Sequence, residues 1–324
     1  MNKLWTPEED DLLLKNHRTM TMKELSIILK RTPDSIRNRL TRLSAKSDKT
    51  GVVVRAKKSN KETKTHLIIP DTHVKPGIDN DRLVYLAYYI ARMFQNGESI
   101  DEIICLGDFA DMESLSSYDQ GKASFEGRRY SLDVESVVQA QEVFFGKLME
   151  LLTPEQFESI KFVMLLGNHE NRINRAADEN AALHSHLSTE DLKYAEYWDE
   201  VHGFNQRYES EGIMYSHYFE SGILGKAISG ESPARSLLQK LHVSCTAGHS
   251  HVRDFCERTT ARGEKILGLI AGCFMEHDEE YAKNSNQLWW RGVIVKRSVS
   301  NGYYDPQFVS IDEMKRNYLR SVAE

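Results

Sequence analysis

The sequence predicts an α/β protein with parallel strands, preceded by a small helical module. Three observations predict it. From His66 onward, short apolar runs alternate with stretches of helical periodicity, the pattern of strand–helix units joined by right-handed crossovers. Five of the apolar runs end directly in Asp, Asn or His. Charge is also divided unevenly. Residues 1–65 hold sixteen Lys/Arg against eight Asp/Glu, a balance of +8, which leaves 42 − 16 = 26 basic and 48 − 8 = 40 acidic residues, or −14, for the rest. A basic head on an acidic body is expected of a polyanion-binding module attached to a different activity.

The 324 residues suffice for one large domain or two modules, and 40% hydrophobic with 28% charged residues is a soluble globular balance. The N-terminus has no secretory apolar region, and no run approaches membrane-spanning length. Cys105, Cys245, Cys256 and Cys273 form no CxxC, and three of them lie inside apolar runs. They read as reduced core residues of a cytoplasmic protein, not as a disulfide framework.

Residues 4–43 read as three short helices. Thr6-Pro7-Glu8-Glu9 supplies an N-cap, a proline at the first helical position and a glutamate that can close a capping box. Leu12, Leu13 and Leu14 follow, and the pattern fades at Asn16. Thr21-Met22-Lys23-Glu24 repeats the box before Leu25, Ile28 and Leu29, and Thr32-Pro33 opens a third helix with Ile36, Leu40 and Leu43 at helical spacing. The other face of that helix carries Arg37, Asn38, Arg39 and Arg42. Residues 46–65 form a basic linker suited to tracking a phosphate backbone.

In the body, strand 66–70 leads to Asp71 and His73, and a helix covers about 81–94. Strand 102–106 leads to Gly107-Asp108, with Asp111 three residues on, and a long helix covers about 132–152. Strand 161–166 ends at Gly167-Asn168-His169-Glu170. Residues 171–211 read as a polar, mostly helical insertion over the site. The run 213–216 delivers His217, and strand 243–247, preceded by a helix after Pro233, delivers His249 and His251. Runs at 252–258, 265–271, 292–299 and 303–310 lack intervening helices, so a second, mixed sheet is expected. Strand ends that carry polar side chains are where open sheets keep their sites.

The ordered set DxH, GDxxD, GNHE, H and GHxH resembles the calcineurin-like metallophosphoesterase family over roughly residues 66–275. The head resembles the Myb/SANT-type helix-turn-helix through Leu4-Trp5-Thr6-Pro7-Glu8-Glu9-Asp10 and its arginine-rich helix. The first resemblance implies a two-sheet αββα sandwich over 66–324, after a three-helix DNA-binding domain at 1–45. It further implies two divalent cations, manganese foremost, with iron, zinc, nickel or magnesium as alternatives. Asp71, His73, Asp108 and His251 would hold one; Asp108, Asn168, His217 and His249 would hold the other. His169 would act on the leaving oxygen, with Asp111 fixing its tautomer and Glu170 orienting the same loop. Where the family often has His-Gly, this chain has His217-Tyr218. Arg172 and Arg175 are candidate phosphate contacts because they closely follow GNHE. His184, His186, His202 and His277 match no motif position and read as ordinary surface or core histidines.

A phosphoesterase with a basic helical head is expected to act on DNA. Arg37, Asn38 and Arg42 would meet base edges and Arg39 and Lys46 phosphates. The expected activity is that of a DNA phosphodiesterase, a nicking or cleaving endonuclease directed by its head. The alternative is a phosphomonoesterase acting on DNA ends, nucleotides or phosphoprotein. A non-enzymatic DNA-binding protein is a third reading. No membrane partner is expected. The combination is of the kind a phage or mobile element carries, which would place it in the host cytoplasm.

Overall fold

The computed structural model describes residues 6–16, 20, 25, 28–31, 36, 63–118, 121–180, 182–184 and 186–323. The chain divides into two compact units, Met1–Asn60 and Lys61–Glu324. In the first unit, α1 (Pro7–Asn16) starts at the expected capping box. The Glu9 backbone N–H donates to Thr6 Oγ1 at 3.3 Å, and the Thr6 N–H donates to Glu9 Oε2 at 3.0 Å. Glu9 also takes Arg31 at 2.7 Å. Leu13, Leu25, Leu29 and Ile36 bury one another. Ile28, expected on the same apolar stripe, is 48% exposed. Arg37, Asn38, Arg39, Arg42, the Thr21 and Thr32-Pro33 starts and the linker up to residue 62 lie outside the described residues.

The second unit is built on two sheets. The larger has strand order β13-β12-β1-β2-β3-β4: β1 (Lys64–Ile69), β2 (Glu102–Cys105), β3 (Lys161–Leu165), β4 (Glu200–His202), β12 (Gly292–Ser300) and β13 (Tyr303–Ser310). β1 through β4 pair in parallel, while β12 and β13 are antiparallel additions at one edge. The smaller sheet runs β10-β11-β9-β6-β5: β5 (Tyr208–Ser210), β6 (Ile213–Tyr215), β9 (Ser244–Ala247), β10 (Arg253–Thr259) and β11 (Lys265–Ala271). It is mixed, but of the four runs expected to form it only 252–258 and 265–271 belong there. Run 292–299 pairs antiparallel with β1 and 303–310 antiparallel with β12, extending the larger sheet instead, because hydrophobic runs do not declare their pairing partner. A two-stranded ribbon, β7 (Glu220–Ser221) and β8 (Lys226–Ala227), stands apart from both.

Strand alternation sorts the apolar side chains into layers. On β1, Ile68 faces the second sheet with Ile104, Val163 and Leu267, while Leu67 and Ile69 face outward. The outward face is covered by α2 (Asp81–Gln95) and α3 (Tyr130–Leu151), whose Leu86, Ile90, Val137 and Phe144 are buried there. On the far side, α6 (Pro233–Leu241) places Leu237 and Leu238 against Cys245 and Ala247. The result is the expected helix–sheet–sheet–helix order. Two short helices, α4 (Pro154–Glu158) and α5 (Asn171–Glu179), flank β3, and α7 (Ile311–Ala323) follows β13 onto α2. Among the described residues, no helix is long and apolar enough to cross a membrane, and no disulfide forms.

The expected insertion over the site is corrected. Among the described residues of the 171–211 stretch only α5 is an α-helix; Thr189–Leu192 and Tyr194–Glu196 are single 3-10 turns, and β4 and β5 also come from it. Leu192, Tyr194 and Trp198 are fully buried in the helical-side core. Trp198 Nε1 donates to Gln141 Oε1 at 3.2 Å, and Tyr130 donates to Asp191 at 2.7 Å. These aromatics are interspersed among polar residues, which hid their periodicity.

Candidate metal centre

Five strand ends converge. After β1 the chain delivers Asp71 and His73, after β2 Asp108 and Asp111, after β3 Asn168 and His169, after β6 His217, and after β9 His249 and His251. Four of these residues, His73, Asp108, His249 and His251, have φ between 46° and 69°. Left-handed backbone at side chains other than glycine costs energy and gathers at functional sites. Two glycines let the loops close. A Cβ on Gly167 would sit 2.1 Å from Asp108 Oδ1, and one on Gly248 would sit 2.2 Å from Asp71 Oδ2.

Three sets of side chains bring metal-ligating atoms within 4.8 Å of one another: Asp71, His73 and His251; His73, Asp108 and His169; and Asp108, His217 and His249. Asp108 belongs to two sets and lies between them. His73 Nε2 and His251 Nε2 stand 3.1 Å apart, and His217 Nε2 stands 3.2 Å from Asp108 Oδ2 and 2.9 Å from Asn168 Oδ1. His217 Nδ1 donates to the Leu106 carbonyl at 3.0 Å, which leaves its Nε2 lone pair aimed at carboxylate and amide oxygens. Lone pairs converging in a buried place fit a divalent cation, and the mixed imidazole–oxygen donor set suits borderline metals. Every residue expected from the resemblance as a ligand is in this cluster.

The electrostatics agree with that fit. Burial, and then the neighbouring His217, hold His249 down to about 4, so it is a neutral imidazole ready to ligate. Burial likewise lowers His73, helped by His169. Burial also acts to lower His217, but the Asp108 carboxylate outweighs it and lifts the ring to about 9 in the absence of a cation. Burial works against the Asp108 charge, yet His217 and His169 hold its carboxyl well below the usual carboxylate range. At 3.2 Å from Asp108 Oδ2, His217 Nε2 is placed to share either a proton or a metal with it.

His169 is held as expected. Its Nδ1 lies 2.7 Å from Asp111 Oδ1, and Asp111 also reaches His73 Nδ1 at 3.4 Å. Glu170 is fully buried and stitches the loops: Oε2 accepts from the Asp108 and Gly167 N–H groups, and Oε1 from Ala110 N–H and the Tyr194 hydroxyl. Of the two candidate arginines, Arg172 lines the cavity and places Nη2 3.1 Å from His169 Nε2. Arg175 is exposed on α5 and does not line it. The cavity, about 530 Å³, is lined also by Glu113, Tyr118, Arg128 and Glu279.

Several residues that pack around the cluster carry no motif. Lys75 pairs with Glu279 at 2.6 Å and approaches Asp111 at 3.7 Å. His277, expected to be an ordinary histidine, bonds the same Glu279 at 2.9 Å. Trp289 meets the His251 ring edge-on with centroids 4.4 Å apart, and Tyr218 leans on His249 at 5.0 Å. Lys75 had one sequence signal, its place two residues after His73. Glu279 and Trp289 had none, because the β11–β12 connection is brought to the site only by the fold.

Fold and site together define a metal-dependent hydrolase of phosphate esters. Residues 65–310 match the calcineurin-like phosphoesterase family, and the chain belongs to that family. No curated protein matches the sequence. Among solved structures, the Pseudomonas putida nuclease MPE aligns at 12% identity over 75% of this chain and 87% of its own, with a TM-score of 0.30. Another aligns at 11% identity over 76% of this chain and 100% of its own, with a TM-score of 0.36.

Proposed function

We propose that the chain is a metal-dependent DNA phosphodiesterase, a nicking or cleaving endonuclease brought to DNA by its N-terminal unit. The observation that carries this reading is the charge division, +8 in residues 1–65 against −14 in the remainder, on a chain whose acidic part holds the His/Asp cluster that could bind metal. An enzyme for small phosphate esters has little use for a basic module; a nuclease gains local substrate concentration from one. Asp71, His73, Asp108 and His251 would hold one divalent cation, and Asp108, Asn168, His217 and His249 a second, with manganese our choice. Bound cations would activate a water and offset charge on the phosphoryl oxygens.

The protein groups do the rest. Arg172 Nη1 is anchored on the Asp111 carbonyl at 3.0 Å, so its Nη2 can turn from His169 to a phosphate oxygen. That movement frees the His169 Nε2 lone pair to take a proton from solvent, and the resulting imidazolium gives that proton to the departing sugar oxygen as the phosphorus–oxygen bond breaks. Asp111 holds Nδ1 protonated, which keeps Nε2 directed into the cavity. Supercoiled plasmid with manganese tests the reading. Nicked or linear product is expected from the full chain and none from a folded His169→Ala variant. Intact plasmid with every divalent metal, alongside rapid hydrolysis of an aryl monoester, would favour a phosphomonoesterase instead.

A further inference from the structure

We infer that the Lys75–Glu279 pair selects the charge of the ester this site accepts, favouring a monoanionic phosphodiester over a dianionic phosphomonoester. The inference rests on the diesterase reading above and gives it a structural cause. Glu279 is 8% exposed and lines the same cavity as Asp108 and His169. Its backbone is fixed by Asn286, which accepts the Glu279 N–H at 3.0 Å and donates to the Glu279 carbonyl at 2.9 Å. Its carboxylate is held by Lys75 Nζ at 2.6 Å and His277 Nε2 at 2.9 Å. The acid therefore stays on the wall of the site.

The cations nearest the reacting centre are already engaged. Lys75 is bound to Glu279. Arg128 donates to the Glu113 carbonyl at 3.2 Å and lies 3.6 Å from its carboxylate. Arg172 bonds the carbonyls of Asp111 and Met112 and faces His169. Two carboxylates, Glu113 and Glu279, line the cavity together with Arg128, Arg172 and Lys122. A monoester brings about 1.5 to 2 negative charges near neutral pH, a diester one. Arg172, once turned to a phosphate oxygen, serves either ester, so the additional charge of the monoester meets the fixed carboxylate with Lys75 still bound to it, in a recess where solvent screens weakly.

The test is kcat/KM of the manganese-loaded full chain for bis(p-nitrophenyl) phosphate and for p-nitrophenyl phosphate. Glu279→Gln removes the negative charge and releases Lys75. Monoester turnover is expected to rise about tenfold, with the diester held within about twofold. Adding Lys75→Met to that variant should return the monoester toward the wild-type value. Lys75→Met alone leaves Glu279 unpaired and should lower the monoester further; it carries the test if Glu279→Gln does not fold. Inhibition gives a second reading: inorganic phosphate should bind Glu279→Gln about tenfold more tightly, dimethyl phosphate no differently. A residue with only a structural role would depress both substrates together. Unchanged diester-to-monoester ratios in both single variants, with diester turnover intact, overturn the inference. A wild-type preference for the monoester overturns the diesterase reading itself, and is seen before any variant is made.

Discussion

At the scale of the residue, Asp108 shows how much surrounds one ligand. It takes a left-handed backbone at φ 48°, accepts the His169 N–H on Oδ1 at 2.8 Å, and faces His217 with Oδ2. Glu170 holds the Asp108 amide from behind. Burial and the Asp108 charge push the Glu170 carboxyl upward, and three backbone N–H groups and a phenol that donate to it work against that rise. Glu170→Gln replaces an accepting oxygen by an NH2 that cannot accept, and leaves buried donors facing a donor. Manganese affinity by calorimetry should fall about 10- to 100-fold, the usual cost of losing a group that orients ligands. Affinity unchanged in a folded variant would mean that Asp108 does not need the clamp. Gly167→Ala should cost at least as much, since its Cβ would overlap Asp108 Oδ1. Every candidate ligand was legible in the sequence because each follows an apolar strand directly. Glu279 and Trp289 were not, and Lys75 only through its place two residues after His73, because pairings between distant segments leave no local pattern.

At the scale of the element, the two sheets are joined by apolar side chains and also by a buried polar seam. His66 on β1 bonds the Tyr215 hydroxyl on β6 at 2.8 Å, and Lys296 on β12 donates to Thr246 on β9. Lys296 Nζ lies over the Tyr304 and Tyr215 rings at 4.1 and 4.4 Å, and burial holds it well below the ordinary lysine range. Burial also lowers His66 from 6.5 to about 4. Between those two values the unfolded chain binds the proton and the folded chain does not. Stability therefore falls as pH drops from 6.5 toward 4, by about 3 kcal/mol from this one ring. Urea unfolding at pH 7 and pH 5 should show the loss, and His66→Leu should flatten that part of the profile. An equal slope in the variant would assign the effect to other groups. The alternating strands of this sandwich were legible almost to the residue, because apolar runs bounded by polar residues have few other readings. The 171–211 stretch was not. Its strands are three residues each and its buried aromatics, Tyr194 and Trp198, sit among acids and lysines, so only tertiary packing declares them core.

At the scale of the whole molecule, composition and the division into units lead to the same experiment. Residues 1–60 hold fourteen basic and seven acidic residues, a balance of +7, and residues 61–324 hold 42 − 14 = 28 against 48 − 7 = 41, or −13. All the candidate metal ligands lie in the second unit, which has its own layered core. A chain lacking residues 1–60 should therefore fold, bind manganese and hydrolyse bis(p-nitrophenyl) phosphate as the full chain does. It should lose most affinity for duplex DNA, because a body with net charge −13 repels a polyanion except at its cations. The salt dependence separates this from a general loss of fitness. Each phosphate neutralised by Lys or Arg contributes a slope of about −0.9 to log K against log salt, so the full chain should show a steep slope and the truncated chain a shallow one. Anisotropy titrations of a labelled duplex across salt concentrations measure both. Equal slopes would place the DNA contacts on the phosphoesterase body and leave the basic head without that role.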